Sequence, residues 1–203
     1  MNIVCLDLEG VLIPEIWISF ADKVGVEDLR ATTRDIPDYD QLMRFRLDLL
    51  DKHDFRIQDI QAAINSLTPL AGARQFTADL RSSYQLIILS DTFQEFAQPM
   101  MRQLDWPTLF CHELVIDDQG RIKNYKLRKQ DHKYETVKRL HELNFKVVAA
   151  GDSYNDTTML AEAEQGILYC PPQNVINEFP QFPVAEDYQQ LRAEIDAAIH
   201  SFG

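Results

Sequence analysis

The sequence predicts an α/β fold of three layers: a Rossmann-like parallel sheet with helices on both faces, and a small helical unit inserted after the first strand. Three observations carry the prediction. Short apolar, β-branched runs recur along the chain and alternate with helical patterns, the arrangement that closes into a parallel sheet. The first run, Val4-Cys5-Leu6, and the next, Leu86-Ile87-Ile88-Leu89, are separated by a long, mostly helical stretch. The runs also stop on acids or hydroxyls: Asp7 and Glu9 after the first, Ser90, Asp91 and Thr92 after the second, Asp152 and Asp156 after Val147-Val148-Ala149-Ala150.

Residues 3–6 are too apolar for a loop and too short for a helix, and Gly10 follows closely, so they form a buried strand opening into a turn. Pro14 suits a helix start, and Ile16, Trp17, Ile18 and Phe20 with Val24, Val26 and Leu29 fit a helical face. Residues 38–50 carry Leu42, Met43, Leu47, Leu49 and Leu50 among charges, residues 57–67 repeat the amphipathic pattern, and Thr68-Pro69 breaks it. The insert is therefore placed at 13–69, and the sheet unit at 1–12 and 70–203. Residues 72–82 read as a helix, 85–92 as the second strand and 93–104 as a helix. Residues 113–122, turning at Asp117-Asp118-Gln119-Gly120, form a hairpin expected to decorate the sheet. A helix opens at Lys133 and ends near Leu143, a strand covers 146–150, a helix 157–163 and a strand 166–170. A short helix lies around Val175, and a closing amphipathic helix spans 188–199.

A chain of 203 residues, 45% apolar and 26% charged with 7 Gly and 9 Pro, has room for one full core and a small accessory unit. The net charge of -12 argues against nucleic acid or an acidic membrane surface as partner, because both favour a basic face; a small molecule fits better. Cys5, Cys111 and Cys170 lack a metal-binding spacing and are expected as reduced thiols in or near the core of a cytoplasmic protein. Neither an export signal nor a membrane span is expected, since there is no basic leader and no run of about eighteen apolar residues.

A parallel sheet gathers the carboxyl ends of its strands along one edge, where ligands bind. That edge would hold Asp7, Glu9, Ser90, Asp152 and Asp156, joined by Lys133 from a helix start. An aspartate can attack phosphorus and form an acyl phosphate when a divalent cation offsets the repulsion between carboxylate and phosphoryl oxygens, and Asp7 is the candidate. Mg2+ prefers oxygen ligands, so Asp7, Asp152 and the backbone carbonyl of Glu9 make a sensible set, whereas zinc is disfavoured because His and Cys do not cluster. Glu9 can protonate a leaving alkoxide and then take a proton from the incoming acceptor. Lys133 and Ser90 can hold the phosphoryl oxygens, and Asp156 can orient Asp152 or Lys133. Each fragment alone has a plainer explanation, as a turn serine, a solvated lysine or a common Gly-Asp-Ser turn. The combination, in this chain order, is what points to phosphoryl transfer.

The motifs Asp7-Leu8-Glu9-Gly10-Val11, Ser90, Lys133 and Gly151-Asp152-Ser153-Tyr154-Asn155-Asp156 resemble, in this order along the whole chain, those of the haloacid dehalogenase superfamily of phosphotransferases. The helical insert looks like that family's cap, which chooses the substrate. Glu9 and Val11 depart from a pattern that commonly has Asp and Thr or Ser. Resemblance to the phosphoserine phosphatases implies Glu15 as an ammonium-binding acid, Tyr39 as an aromatic wall and Arg46 as a carboxylate-binding arginine. It also sets Ser90, Asp91, Thr92, Lys133 and Asn155 against the substrate. One helical turn from Arg46, Leu42, Met43, Leu49 and Leu50 offer no ion-pair partner. A plain solvated arginine at Arg46, a helix-start acid at Glu15 and insert core at Tyr39 stay open as plainer roles.

Pro14-Glu15-Ile16-Trp17, Thr32-Thr33-Arg34-Asp35-Ile36-Pro37-Asp38-Tyr39-Asp40, Ser90-Asp91-Thr92-Phe93 and Glu178-Phe179-Pro180-Gln181-Phe182-Pro183 look like the subgroup combining phosphoserine phosphatase with phosphoserine:homoserine phosphotransferase activity. In that subgroup Glu9 is normal. The resemblance thus implies Mg2+-dependent transfer from phosphoserine to Asp7, then capture by water or homoserine. Alternatives are a phosphatase of another small phosphomonoester and a receiver-like signalling module, which the long insert disfavours. A dinucleotide-binding fold is weaker still, because Glu9-Gly10-Val11 lacks the glycine-rich fingerprint. Monomer and homodimer both stay open.

Overall fold

The computed structural model describes residues 1–32, 35–36 and 38–202; of the subgroup-like segment at 32–40, Thr33, Arg34 and Pro37 lie outside the described residues. The chain opens with β1 (Asn2–Leu6), then α1 (Ile16–Val24), a 3-10 turn (Glu27–Arg30), α2 (Tyr39–Lys52) and α3 (Ile57–Ile64). It continues through α4 (Ala73–Ser83), β2 (Gln85–Phe93), α5 (Gln94–Gln103), β3 (Thr108–Ile116), β4 (Ile122–Lys126) and α6 (His132–Glu142). There follow β5 (Lys146–Gly151), a 3-10 turn (Tyr154–Asp156), α7 (Thr157–Glu162), β6 (Gln165–Tyr169), α8 (Gln173–Glu178), β7 (Val184–Ala185) and α9 (Tyr188–Ser201).

The strands form a sheet in the order β4-β3-β2-β1-β5-β6-β7, parallel except for β4. Alternate residues of β1 explain the three layers. Val4 and Leu6 join an apolar cluster with Phe76 and Leu80 of α4, Phe96 of α5, and Leu191 and Ile195 of α9. Ile3 and Cys5 face the other way, into Val137 and Leu140 of α6, Met159 of α7 and Val175 of α8. With both faces covered, the strand reads as a continuous apolar run. The first cluster continues into Trp17, Phe20, Met43, Ile60 and Ile64, so α1, α2 and α3 share a core with one sheet face. Trp17 meets Phe96 edge-on, with ring centroids 5.4 Å apart.

Three expectations need correction. The hairpin does not decorate the sheet: β3 pairs in parallel with β2, Ile88 opposite Leu109, and only β4 is peripheral. Its tip instead touches the N-terminus of α3, where Ile57 N donates to Gly120 O at 2.9 Å and Arg56 Nη1 to Gln119 O at 2.8 Å. The loop after Cys170 contains a further two-residue strand, β7, beside β6. Cys5 and Cys111 are buried free thiols, but Cys170 is exposed just past β6 with φ 44°, outside the core. Among the described residues no helix is long and apolar enough to cross a membrane.

Candidate active site

Because β1 lies between β2 and β5, the chain leaves three neighbouring strands at one edge, carrying Asp7, Ser90 and Asp152. Asp7 N donates to Ala150 O at 2.9 Å, extending the ladder one residue past β1 and fixing the carboxylate. The chain then coils tightly: Leu12 N and Ile13 N both donate to Leu8 O, and Gly10 N to Ile13 O. Gly10 has φ +77°, and a Cβ there would lie 2.5 Å from the Asp152 carboxylate carbon. Only glycine meets both demands, the left-handed backbone and the close approach.

The edge opens into a cleft of about 560 Å³. Asp7, Ser90, Lys133 and Asp152 border it, as do Glu9, Asp91, Thr92 and Asn155. Glu15, Tyr39 and Arg46 reach it from the segment between β1 and α4. Asp156 lies behind, fully buried. Its Oδ1 accepts from Lys133 Nζ at 2.7 Å, and its Oδ2 accepts from the backbone N–H groups of Asp152 at 3.0 Å and Ser153 at 3.1 Å.

Lys133 Nζ also donates to Asp7 Oδ1 at 2.8 Å, and both side chains are buried. Burial works against the lysine charge, yet Asp156, Asp7 and Asp91 outweigh it and hold the ammonium well above its ordinary range. Burial, with Asp156 and Asp152 alongside, pushes the Asp7 carboxyl well up despite Lys133. Burial, then Asp156 and Glu15, raise Asp152 to about 7. Oxygens of Asp7, Asp152 and Asp156 all lie within 4.8 Å of one another. With Asp156 engaged by Lys133 and two backbone donors, Asp7 and Asp152 remain as crowded oxygen donors whose charge calls for a cation, and this donor set fits a hard divalent ion.

Glu9 Oε2 accepts from Ile16 N at 2.9 Å, tying the loop to the first turn of α1. Burial raises its pKa against hydrogen bonds from Ile16, Thr92 and Glu15. Glu15 has exposed surface but is walled in by the cleft; the lost water, then Glu9, raise it to about 7. Arg46 is 7% exposed. Its Nη2 donates to Ala31 O at 2.9 Å, its guanidinium lies 4.5 Å from the Trp17 ring centroid, and its buried Nε has no hydrogen-bond partner among the described residues. Burial lowers its pKa to about 10. Tyr39 donates to the backbone oxygen of Asp91 at 3.2 Å.

Trp17, beneath Arg46 and lining the cleft, is read from the sequence only as part of a helical face and of a subgroup-like segment, not as a site residue. His112 and His132 are not singled out from the sequence, and here the expectation that no histidines cluster fails: their ring centroids are 4.5 Å apart, beside Asp91.

Residues 1–164 match the family model of the haloacid dehalogenase-like hydrolases. The chain belongs to that family. Among its relatives are a phosphoserine phosphatase of Pseudomonas syringae pv. tomato, 57% identical over 96% of this chain and 82% of the relative. Another is the phosphoserine phosphatase ThrH of Pseudomonas aeruginosa, 58% identical over 96% of this chain and 95% of the relative. A solved substrate-bound phosphoserine phosphatase complex shares the fold, with a TM-score of 0.76 at 20% identity over 97% of each chain.

Proposed function

We propose that this haloacid dehalogenase-like hydrolase is a Mg2+-dependent phosphoserine phosphatase working through a phosphoryl group carried on Asp7, and that it also hands that group to homoserine. The observation that carries this proposal is the pairing, in one cleft, of the buried Asp7–Lys133 contact with Arg46 and Glu15. One end suits a phosphoryl group, the other an amino-acid zwitterion. The names of the two Pseudomonas relatives support the same substrate.

In this account residues 13–69 act as the cap. Arg46 takes the α-carboxylate through its fork of donors, Glu15 takes the α-ammonium, and Tyr39 walls the side. Lys133, Ser90 and Asn155 hold phosphoryl oxygens. Mg2+ bound by Asp7, Asp152 and the Glu9 carbonyl would offset the repulsion between nucleophile and phosphoryl group. An oxygen of Asp7 bonds to phosphorus as the bond from phosphorus to the serine oxygen breaks, and Glu9 gives its proton to that oxygen. After serine leaves, Glu9 takes the proton of water or of the homoserine hydroxyl. The acceptor oxygen then bonds to phosphorus and the Asp7 oxygen is released. Homoserine, held by Arg46 and Glu15, gains effective concentration over water. We place the protein in the cytoplasm, where its thiols stay reduced.

A time course of serine, inorganic phosphate and phosphohomoserine formed from phosphoserine, with Mg2+ and with or without homoserine, tests this. Serine release with phosphohomoserine appearing only when homoserine is added is the expected result. Faster turnover of sugar or nucleotide monophosphates than of phosphoserine in the same assay would overturn it.

A further inference from the structure

Asp91 is a carboxylate beside a phosphoryl-binding site, where like charges repel, so direct contact with that group is the least favourable use of it. Its surroundings suggest another use. Asp91 Oδ2 accepts from Asn155 Nδ2 at 2.9 Å and lies 3.7 Å from Lys133 Nζ. On its other oxygen, His132 Nε2 stands at 3.3 Å, off the line of a good hydrogen bond, and His112 Nε2 at 3.6 Å. Both imidazoles are 2% exposed. Lys133, His112, His132 and Asn155 hold the Asp91 carboxyl well below its ordinary range although burial opposes this.

The two histidines come from β3 and α6, Lys133 from the first turn of α6, and Asn155 from the turn after β5. Asp91 sits at the hub of all three. Asn155 is gripped at both ends of its amide, since its Oδ1 accepts from Ser153 Oγ at 2.5 Å. That fixes the plane of the amide and directs its second N–H.

The same Asp91, His112 and His132 have the donor types of a transition-metal site, but the tautomer speaks against one. Arg128 N donates to His112 Nδ1 at 3.2 Å, so neutral His112 carries its proton on Nε2, the nitrogen that faces Asp91 and that a metal would need bare. A protonated Nε2 is instead what a carboxylate in need of anchoring requires.

We infer that Asp91 is a positioning residue for phosphoryl transfer: with His112 and His132 packed against it, its carboxylate orients the Asn155 amide and the Lys133 ammonium toward the phosphoryl oxygens and does not itself contact those oxygens. This deepens the proposed function and rests on its placing of the phosphoryl group at Lys133 and Asn155.

The test compares Asp91→Asn with the parent on two substrates, phosphoserine and p-nitrophenyl phosphate, and measures inhibition by inorganic phosphate and by serine. The amide keeps the shape but presents an NH2 where one of the two oxygens accepts, so at least one partner is lost. Expected is a fall in kcat/KM of about 10- to 100-fold, equal for both substrates, with inhibition by phosphate weakened and inhibition by serine unchanged. In a double-variant cycle, Asn155→Ala should cost markedly less in the Asp91→Asn background than in the parent, a coupling that a general loss of stability does not produce. A loss confined to phosphoserine, or additive losses in the cycle, would overturn the inference.

Should Asp91→Asn not fold, His112→Gln and His132→Asn keep the carboxylate while loosening it. Smaller but equal losses on both substrates support the inference, and parental rates in both variants sink it. The p-nitrophenyl phosphate arm reads the phosphoryl end whatever the natural leaving group is. If phosphoserine proves not to be a substrate while that arm shows the loss, the proposed substrate falls and the role of Asp91 stands.

Discussion

The floor and the wall of the cleft are built on opposite principles. In the floor, Lys133 and Asp156 are fully buried and satisfied, the ammonium by Asp7 and Asp156, the carboxylate by Lys133 and two backbone donors. In the wall, Arg46 is buried against the face of Trp17, with one backbone acceptor, the weakly accepting Met43 sulfur and an Nε that has no hydrogen-bond partner among the described residues. A preorganised floor suits a group whose charge must be met without rearrangement. A buried guanidinium left short of acceptors costs stability, and a ligand carboxylate would relieve that cost. The contrast fits the proposed division, with phosphoryl chemistry below and recognition above.

The sharpest way to break the floor is Asp7→Asn, for which turnover of phosphoserine with Mg2+ should fall at least about 1,000-fold by phosphate release. Gly10→Ala should follow, at about 100-fold, because its Cβ displaces the Asp152 carboxylate. Gly25 is the control. It also has a left-handed φ, +68°, but no atom of the described residues within 4 Å of where its Cβ would be, so Gly25→Ala should cost about 1 kcal/mol of stability in denaturant melts and leave kcat intact. For the wall, Arg46→Ala should raise KM for phosphoserine roughly 10- to 100-fold while p-nitrophenyl phosphate is little changed. Equal effects on the two substrates would erase the division between floor and wall.

The smallest effect is in pH. The Asp152 carboxyl, raised to about 7, holds a proton in the folded, metal-free protein between its ordinary range and neutrality, whereas the unfolded chain has released it. Stability from this group is therefore fully present at acid pH and falls as pH rises toward 7. A cation that needs the bare carboxylate reverses the trend. Apparent Mg2+ affinity by calorimetry should climb by about tenfold or more per pH unit below 7, the raised Asp7 carboxyl adding to the slope, and Mg2+ should raise the melting temperature more at pH 8 than at pH 6.

Floor and wall also differ in how far the sequence discloses them. Asp7, Ser90 and Asp152 are legible because each terminates an apolar run, and parallel pairing then forces the run ends together. The first half of β3 is hidden: Thr108 to Cys111 follow Trp106-Pro107 with no polar alternation, and their partner is β2, a non-local choice. β7, with two residues, is too short to leave a pattern. The placement of Trp17 under Arg46 and of His112 against His132 arises only when separate elements pack, and no spacing in the chain announces it. Glu15, Tyr39 and Arg46 stand out only through family resemblance, and periodicity alone leaves them as ordinary helix residues.

The proposed reaction requires Asp7 to carry the phosphoryl group. Enzyme quenched in acid during turnover of phosphoserine, digested and read by mass spectrometry, should show a hydroxylamine-sensitive phosphoryl adduct on the peptide containing Asp7, absent in Asp7→Asn. An adduct on another residue, or none at any time while phosphoserine is being consumed, would contradict it.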